Sequence, residues 1–221
     1  MTTTMTSSLP PSSRPPASDK ALRARSTRLS WLLRHGANES GLAMDTAGFA
    51  ALGDVLRLAQ LRRDDLDVIV RDNNKLRFQL VDGRGGERIR AVQGHSLEGT
   101  PVTLDGLEGS WDVVDDEAPL FHGTSVAAAR AILASDGIHA AARSHVHLAD
   151  AVDATVGKRA AVDVLLTIDP VRLRAAGQRV FRAPNGVLLT REVPRGAVVD
   201  VVGATRAGTA AVAQLTGLLA R

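Results

Sequence analysis

The 221-residue chain contains no cysteine and no tyrosine. Without cysteine it forms no disulfide, offers no thiolate to a metal and carries no cysteine nucleophile. A reducing compartment fits, and a cytoplasmic location is expected. Phe and Trp together make up 3% of the residues. Base stacking therefore cannot be the main grip on a nucleic acid; phosphate contacts would have to dominate. No apolar run approaches the roughly 20 residues of a membrane span, so no membrane partner is expected. Residues 1–19, MTTTMTSSLPPSSRPPASD, are Ser, Thr and Pro with almost nothing apolar. They hold no signal-peptide core and too little apolar surface to order themselves, so a disordered tail is expected.

The remaining composition is that of an ordinary globular protein, 44% hydrophobic and 23% charged, long enough for one large domain or two small ones. The sequence pI of 10.1 overstates a net charge of +3, because little titrates between the amino terminus and the few lysines. Basic residues exceed acidic ones by four over 20–100, and acidic exceed basic by one over 101–221. Of the basic residues 24 are Arg and three are Lys. Coding bias accounts for most of that excess but not for where particular arginines fall. An arginine fork pairs a phosphate bidentately, which a lysine cannot.

Residues 20–35 read as a helix with Leu22, Leu29, Leu32 and Leu33 on one face, ended by Gly36. Short helices follow at 53–60 and 62–71. KLRFQLV (75–81) and ERIRAVQ (87–93) read as a hairpin across DGRGG, with Ile89, Ala91 and Gln93 on one side and Arg88, Arg90 and Val92 on the other. Three helices and a two-stranded wing make a winged-helix-like pattern over 20–100. Residues 101–118, rich in Gly and acids, read as a linker. From 119 to 221 short strands alternate with turns and a few helices: PLFHGTS, a helix over 125–135, HVHLA, a helix around 150–159, AVDVLLTID, RVFRAPNGVLLTREVP, a strand at 197–202 and a helix in 208–221. The expected class is α+β.

Five of the six histidines lie in four tight contexts: LRHG, QGHS, FHGT and HVHL. In FHGTS a strand meets a helix, and free N–H groups there suit an anion such as pyrophosphate; the plainer reading is a helix start capped by Thr124 or Ser125. His145 and His147 share one strand face and, with His122, have metal-ligand types, but no carboxylate stands at a matching spacing, and no metal is expected. Arg34, His35, Arg90 and Arg143 together suit a doubly charged phosphate, although each alone is more often a surface charge.

The motifs LSWLLRHG, RIRAVQGHS, FHGTS, RSHVHL and NGVLLTREVP, in this order, resemble the RNA 2′-phosphotransferase family of the Tpt1/KptA type over roughly residues 25–203. The resemblance implies a winged-helix-like RNA lobe followed by an ADP-ribosyltransferase-like lobe that holds NAD. It implies transfer of an internal RNA 2′-phosphate to NAD, through an RNA-2′-phospho-ADP-ribose intermediate, to give 2′-hydroxyl RNA, ADP-ribose 1″,2″-cyclic phosphate and nicotinamide. The family's catalytic set falls on Arg34, His35, Arg90 and Arg143, with His35 as the base in the second step. RNA phosphate contacts fall on Arg34, His35, Arg90, His95 and Ser96. NAD contacts fall on His122, Gly123, Thr124, His147, Asn185, Gly186 and Val187. Two positions depart from the family: Phe121 where Tyr is common, and Ala149 where Ser is usual. The expected partner is a 2′-phosphorylated RNA, with tRNA and its splicing as the family's context, and the expected state is a monomer.

Three other readings compete. An ADP-ribosyltransferase acting on a terminal nucleic-acid phosphate or a protein would keep the fold and lack the second step. A two-histidine phosphodiesterase needs two His-x-Thr/Ser motifs, and only His122-Gly123-Thr124 qualifies. A non-catalytic winged-helix nucleic-acid binder leaves the motifs beyond residue 118 unexplained.

Overall fold

The computed structural model describes residues 19–72, 76–152 and 162–220. The expected N-terminal tail and most of the helix expected around 150–159 lie outside these residues. The rest is a mixed α+β chain of several small antiparallel sheets and eight α-helices among the described residues.

The first half runs α1 (Asp19–Arg34), α2 (Ala37–Ser40), β1 (Ala50–Ala51), α3 (Leu52–Ala59), α4 (Arg63–Arg71), β2 (Phe78–Gly83) and β3 (Gly86–Ala91). Leu29, Leu32 and Leu33 bury one face of α1 against Val55, Leu66, Ile69, Phe78 and Ile89. β2 and β3 pair from Phe78–Ala91 to Gly83–Gly86, and β1 adds a third strand through Ala50–Ile89 and Ala51–Arg88. A two-residue strand carries no readable period, so the sequence shows only the hairpin. α1 ends where expected, but Gly36 has an ordinary φ of −110°. Its need is space: a Cβ would lie 2.6 Å from Cζ2 and Cζ3 of Trp31.

The second half continues with α5 (Leu104–Glu108), β4 (Asp112–Val114), β5 (Leu120–Thr124), α6 (Val126–Ala134), β6 (Gly137–His139), β7 (Val146–Leu148), β8 (Val164–Ile168), α7 (Pro170–Ala175), β9 (Val180–Arg182), β10 (Leu188–Thr190), β11 (Glu192–Pro194), β12 (Val198–Gly203) and α8 (Arg206–Leu219). The strands form sheets ordered β4-β9-β10-β7, β11-β6 and β12-β8-β5. β8 is central and almost wholly apolar, which fits a strand covered on both faces. α8 opens at Arg206, two residues before the expected start, capped by Thr205, whose hydroxyl accepts from Gly208 N.

Residues 101–118 differ from the expected linker. They form α5 and β4, and Val102, Leu107 and Trp111 are buried with Phe181, Ala183, Val187 and Leu189 in a core of their own. Met44 packs against both this core and the first-half core. Trp111 Nε1 donates to Val92 O at 3.1 Å. Trp111→Ala is expected to lower the unfolding free energy by about 3–5 kcal/mol in a denaturant titration; a change within about 0.5 kcal/mol, typical of an exposed linker residue, would contradict this packing.

Candidate active site

Arg34 is the last residue of α1 and His35 follows it. The loop 94–100 closes on them: Ser96 N donates to Arg34 O at 2.9 Å, and Asn38 N donates to Gly99 O at 3.1 Å. Gly99 permits the approach, because a Cβ there would collide with the His35 carbonyl. Gly94, at φ +87°, lets the chain leave β3, and the Arg34 guanidinium lies over it, 3.6 Å from where a Cβ would stand.

The same loop meets the second half. Ser144 N donates to His95 O at 2.8 Å, which brings Arg143 and His147 to Arg34. Gln93 Oε1 lies 2.7 Å from His147 Nε2, and Arg143 Nη1 lies 3.0 Å from His147 Nδ1. A guanidinium only donates. Nδ1 therefore accepts from Arg143, Nε2–H donates to Gln93, and His147 is neutral in one fixed tautomer. Burial, then Arg143 and Arg34, push its pKa down to about 3. His122 Nδ1–H donates to the His147 carbonyl at 3.1 Å, so this imidazole is also fixed.

The electrostatics have one sign. Burial and the nearby Arg77 and Arg143 push the Arg34 pKa down to about 10. Burial, Arg34 and Arg143 hold His35 below its usual value. Among the described residues, the charged groups that shift Arg34, His35 and His147 are arginines and histidines. Arg25 and Arg62 share Asp65, Arg88 meets Asp45, and Arg191 meets Asp105 and Glu108. Arg34 Nε is buried without a hydrogen-bond partner. Such a cluster suits a dianion.

Arg90 is placed differently from Arg34, His35 and Arg143. It is 2% exposed, with Nε donating to Gln79 Oε1 at 2.8 Å, Nη1 to Ser110 Oγ at 2.6 Å and to Ala47 O at 3.1 Å. Its guanidinium stacks 4.4 Å from the Phe49 ring centroid. Both faces of the end of β3 are covered, so Val92 is buried like Ala91, and the expected two-sided alternation stops there. Gln93, expected on the core side, instead reaches His147.

His95 is fully buried, its pKa pushed down to about 3 by burial, Arg34 and Arg90, and neither ring nitrogen has a hydrogen-bond partner. The Ser96 hydroxyl donates weakly to Arg34 O at 3.4 Å. His145 turns from His147: Nε2–H donates to Glu108 Oε1 at 3.1 Å and Nδ1 faces Ser144 Oγ at 3.0 Å. Among the described residues no group of three or more His, Asp or Glu side chains is set to hold a metal.

The α6 start does not present a row of free N–H groups. Ser125 Oγ accepts from Ala128 N, and Asp163 Oδ2 accepts weakly from Val126 N. Ser125, of the two candidates, is the cap. Gly123 has Val162 2.9 Å from where its Cβ would stand, and Thr124 is buried. Asn185 and Gly186 form the β9–β10 turn, with Gly186 at φ +80° and its N–H on Ala183 O, and Val187 enters the Trp111 core. Leu189 of β10 pairs with His147. The two departures from the family are partners: Phe121 and Ala149 exchange both backbone hydrogen bonds at 2.9 Å. Sequence reasoning missed Arg77, Gln93 and Trp31. Gln93 and Trp31 stood in quoted motifs and Arg77 in the quoted strand KLRFQLV, but none carried a signal of its own.

The family model for "RNA 2′-phosphotransferase, Tpt1 / KptA family" matches residues 20–192. A probable RNA 2′-phosphotransferase of Pseudomonas fluorescens is 35% identical, over 81% of this chain and 97% of its own length. One from Burkholderia lata is 37% identical, over 81% and 90%. The human tRNA 2′-phosphotransferase 1 is 37% identical, over 75% and 67%.

Proposed function

The chain belongs to the RNA 2′-phosphotransferase (Tpt1/KptA) family, and from that premise we propose that it is an enzyme moving an internal RNA 2′-phosphate onto NAD. The observation that supports this reading is the buried Arg34 guanidinium, its Nε without a hydrogen-bond partner, beside His35 and within reach of Arg77 and Arg143 from both halves of the chain. We assign the RNA to a winged-helix-like lobe over 20–100, where the basic surplus lies, and NAD to an ADP-ribosyltransferase-like lobe over 119–221. His147, neutral and tautomer-fixed, His122, whose Nδ1–H is held by the His147 carbonyl, and the buried Thr124 fit sugar and amide hydrogen bonding. NAD supplies a ribosyl electrophile at C1″ and a 2″-hydroxyl.

Arg34 and Arg143 orient the 2′-phosphate. One of its oxygens bonds to C1″ as the C1″–N bond breaks and nicotinamide leaves with the electron pair. His35 then takes the 2″-hydroxyl proton as that oxygen bonds to phosphorus. The phosphorus–O2′ bond breaks, and the RNA oxygen is protonated. The arginines meet the charge that builds on the non-bridging oxygens. Arg90 holds the 47–49 turn and Ser110 around this centre. We place the reaction in the cytoplasm on a 2′-phosphorylated RNA such as a tRNA, by a monomer.

Incubation with a 2′-phosphorylated oligonucleotide, with and without NAD, tests the reading by chromatography of the small products. NAD-dependent release of nicotinamide and cyclic phosphate is expected; phosphate release without NAD would overturn it. EDTA is expected to leave the rate unchanged.

The pH dependence is a further expected result. A base must be neutral, and His35 is held below its usual 6.5 by burial, Arg34 and Arg143. The enzyme's acid limb in kcat/KM is therefore expected below pH 6.5, with activity falling as pH drops through it. Arg143→Gln removes one restraining cation, so the limb moves up toward 6.5. The substrate phosphate also titrates near 6 but identically for both proteins, so a shift between their profiles belongs to the enzyme. Coincident limbs would remove His35 as the base.

A further inference from the structure

Five of the six aromatic side chains are accounted for inside the fold. Phe78, Phe181 and Trp111 are buried, Phe49 lies under Arg88 and Arg90, and Phe121 is half-buried beside Ala149. Trp31 is 42% exposed. It stands three and four residues before Arg34 and His35, so the three share one helix face, with neighbouring Cβ atoms about 5–6 Å apart. Helical side chains usually lean toward the N-terminus; the Trp31 ring reaches forward and rests on Gly36. The exposed Leu97 follows Ser96 on the loop bonded to Arg34. A large ring is thus held in water at the edge of the cation cluster.

We propose that Trp31 is the platform on which a base of the RNA, belonging to or adjoining the phosphorylated nucleotide, stacks while the cluster holds the 2′-phosphate. This rests on the functional reading above. The chemistry is complementary: the cations take the phosphate, and any base has a π-face for the indole, so the contact is sequence-tolerant. It also assigns a division of labour in which phosphate contacts supply most of the affinity and one ring supplies register. The adenine of NAD is the competing occupant; the RNA is favoured because Trp31 shares its helix face with Arg34 and His35.

The chain has two tryptophans and no tyrosine, so its intrinsic emission comes from exposed Trp31 and buried Trp111. Without NAD, an internally 2′-phosphorylated oligonucleotide is expected to quench the wild type and to leave Trp31→Phe unquenched. In turnover, Trp31→Ala is expected to raise KM about 5- to 150-fold, the equivalent of 1–3 kcal/mol per stacked base, with kcat nearly unchanged. With oligonucleotides abasic at the phosphorylated and adjoining positions, wild type and Trp31→Ala should have the same KM. An unchanged KM, an equal rise on the abasic substrates, or quenching of Trp31 by NAD alone would overturn the proposal. If the wild type converts no 2′-phosphorylated RNA, the functional reading fails, and the quenching comparison alone decides the role of Trp31.

Discussion

Replacing Arg34 by methionine is expected to slow turnover by two to three orders of magnitude and, in the same protein, to raise the melting temperature. The rate loss follows from removing one preorganised donor aimed at a developing negative charge, which typically costs on the order of 10²–10³. Arg34→Lys should recover little, because an ammonium cannot present a two-pronged donor. The stability gain has the opposite origin. In the free protein Arg34 is charged at a site that disfavours charge: burial, Arg77 and Arg143 push its pKa down to about 10. A cation with a depressed pKa makes folding less favourable wherever the group stays protonated, which here covers the whole physiological range. Methionine keeps the stem volume and removes the repulsion. Each kcal/mol relieved should raise Tm by about 2–4 °C for a chain of this size. Inorganic phosphate should stabilise the wild type more than Arg34→Met, since a dianion at the cluster cancels the same repulsion. Single-turnover kinetics and thermal scans with and without phosphate check both halves. A variant that loses activity and also melts lower would show that Arg34 supports the fold, and that the cluster is not poised for an anion.

That poise was only partly legible in the sequence. Arg34 and His35 could be placed at a helix end because Leu29, Leu32 and Leu33 set the period and Gly36 stopped it. The β2–β3 hairpin was legible from alternation around DGRGG, and α8 as a helix in 208–221, without its Thr205 cap. The approach of Arg143 to Arg34 was not legible. It is made by Ser144 N on His95 O and by Gln93 on His147, contacts about fifty residues apart in the chain that leave no local pattern; a resemblance to a family pointed to the residues without saying how the fold joins them. Residues 101–118 were misread for a compositional reason. Seven acids and three glycines over 97–118 outweighed Val102, Leu107 and Trp111, whose successive spacings of five and four keep no single helix or strand period. The arginine in KLRFQLV reads as a strand-end charge until its distance to Arg34 is known. The winged-helix-like and NAD-binding assignments rest on the pattern of elements and on the family, and remain part of the proposal.

Arg90→Ala is expected to lose activity as Arg34→Met does and to move stability the other way, which separates two roles that the sequence presents as one. The β3 alternation puts Arg90 on the face opposite Ile89, a position easily read as solvated and aimed at a ligand. That face is instead covered by the 47–49 turn and by Ser110. Arg90 has Gln79, Ala47 O and Ser110 Oγ on its nitrogens and Phe49 against its plane. Burial lowers its pKa, offset in part by Asp45, so the charge itself is costly there, as in the Arg34 case. The difference lies in what the side chain leaves behind. Alanine would take the Arg90 donors from the half-buried Ala47 carbonyl and Gln79 amide oxygen, each costing roughly 1–3 kcal/mol when unsatisfied, while Ser110 Oγ keeps Leu107 O, and would leave a cavity beside Phe49. These terms exceed the relief of one buried charge, and a net loss on the order of 3–5 kcal/mol, or a drop in Tm of roughly 10 °C, is the expected result. Activity should fall because the 47–49 turn and Ser110 shift around His95, whose neighbours include Arg34. The discriminating measurement is temperature: a positioning defect should shrink when Arg90→Ala is assayed well below its melting point, whereas loss of a phosphate-binding donor should persist there at 10²–10³. An Arg90→Ala protein that melts like the wild type yet stays inactive at low temperature would return Arg90 to direct contact with the phosphate.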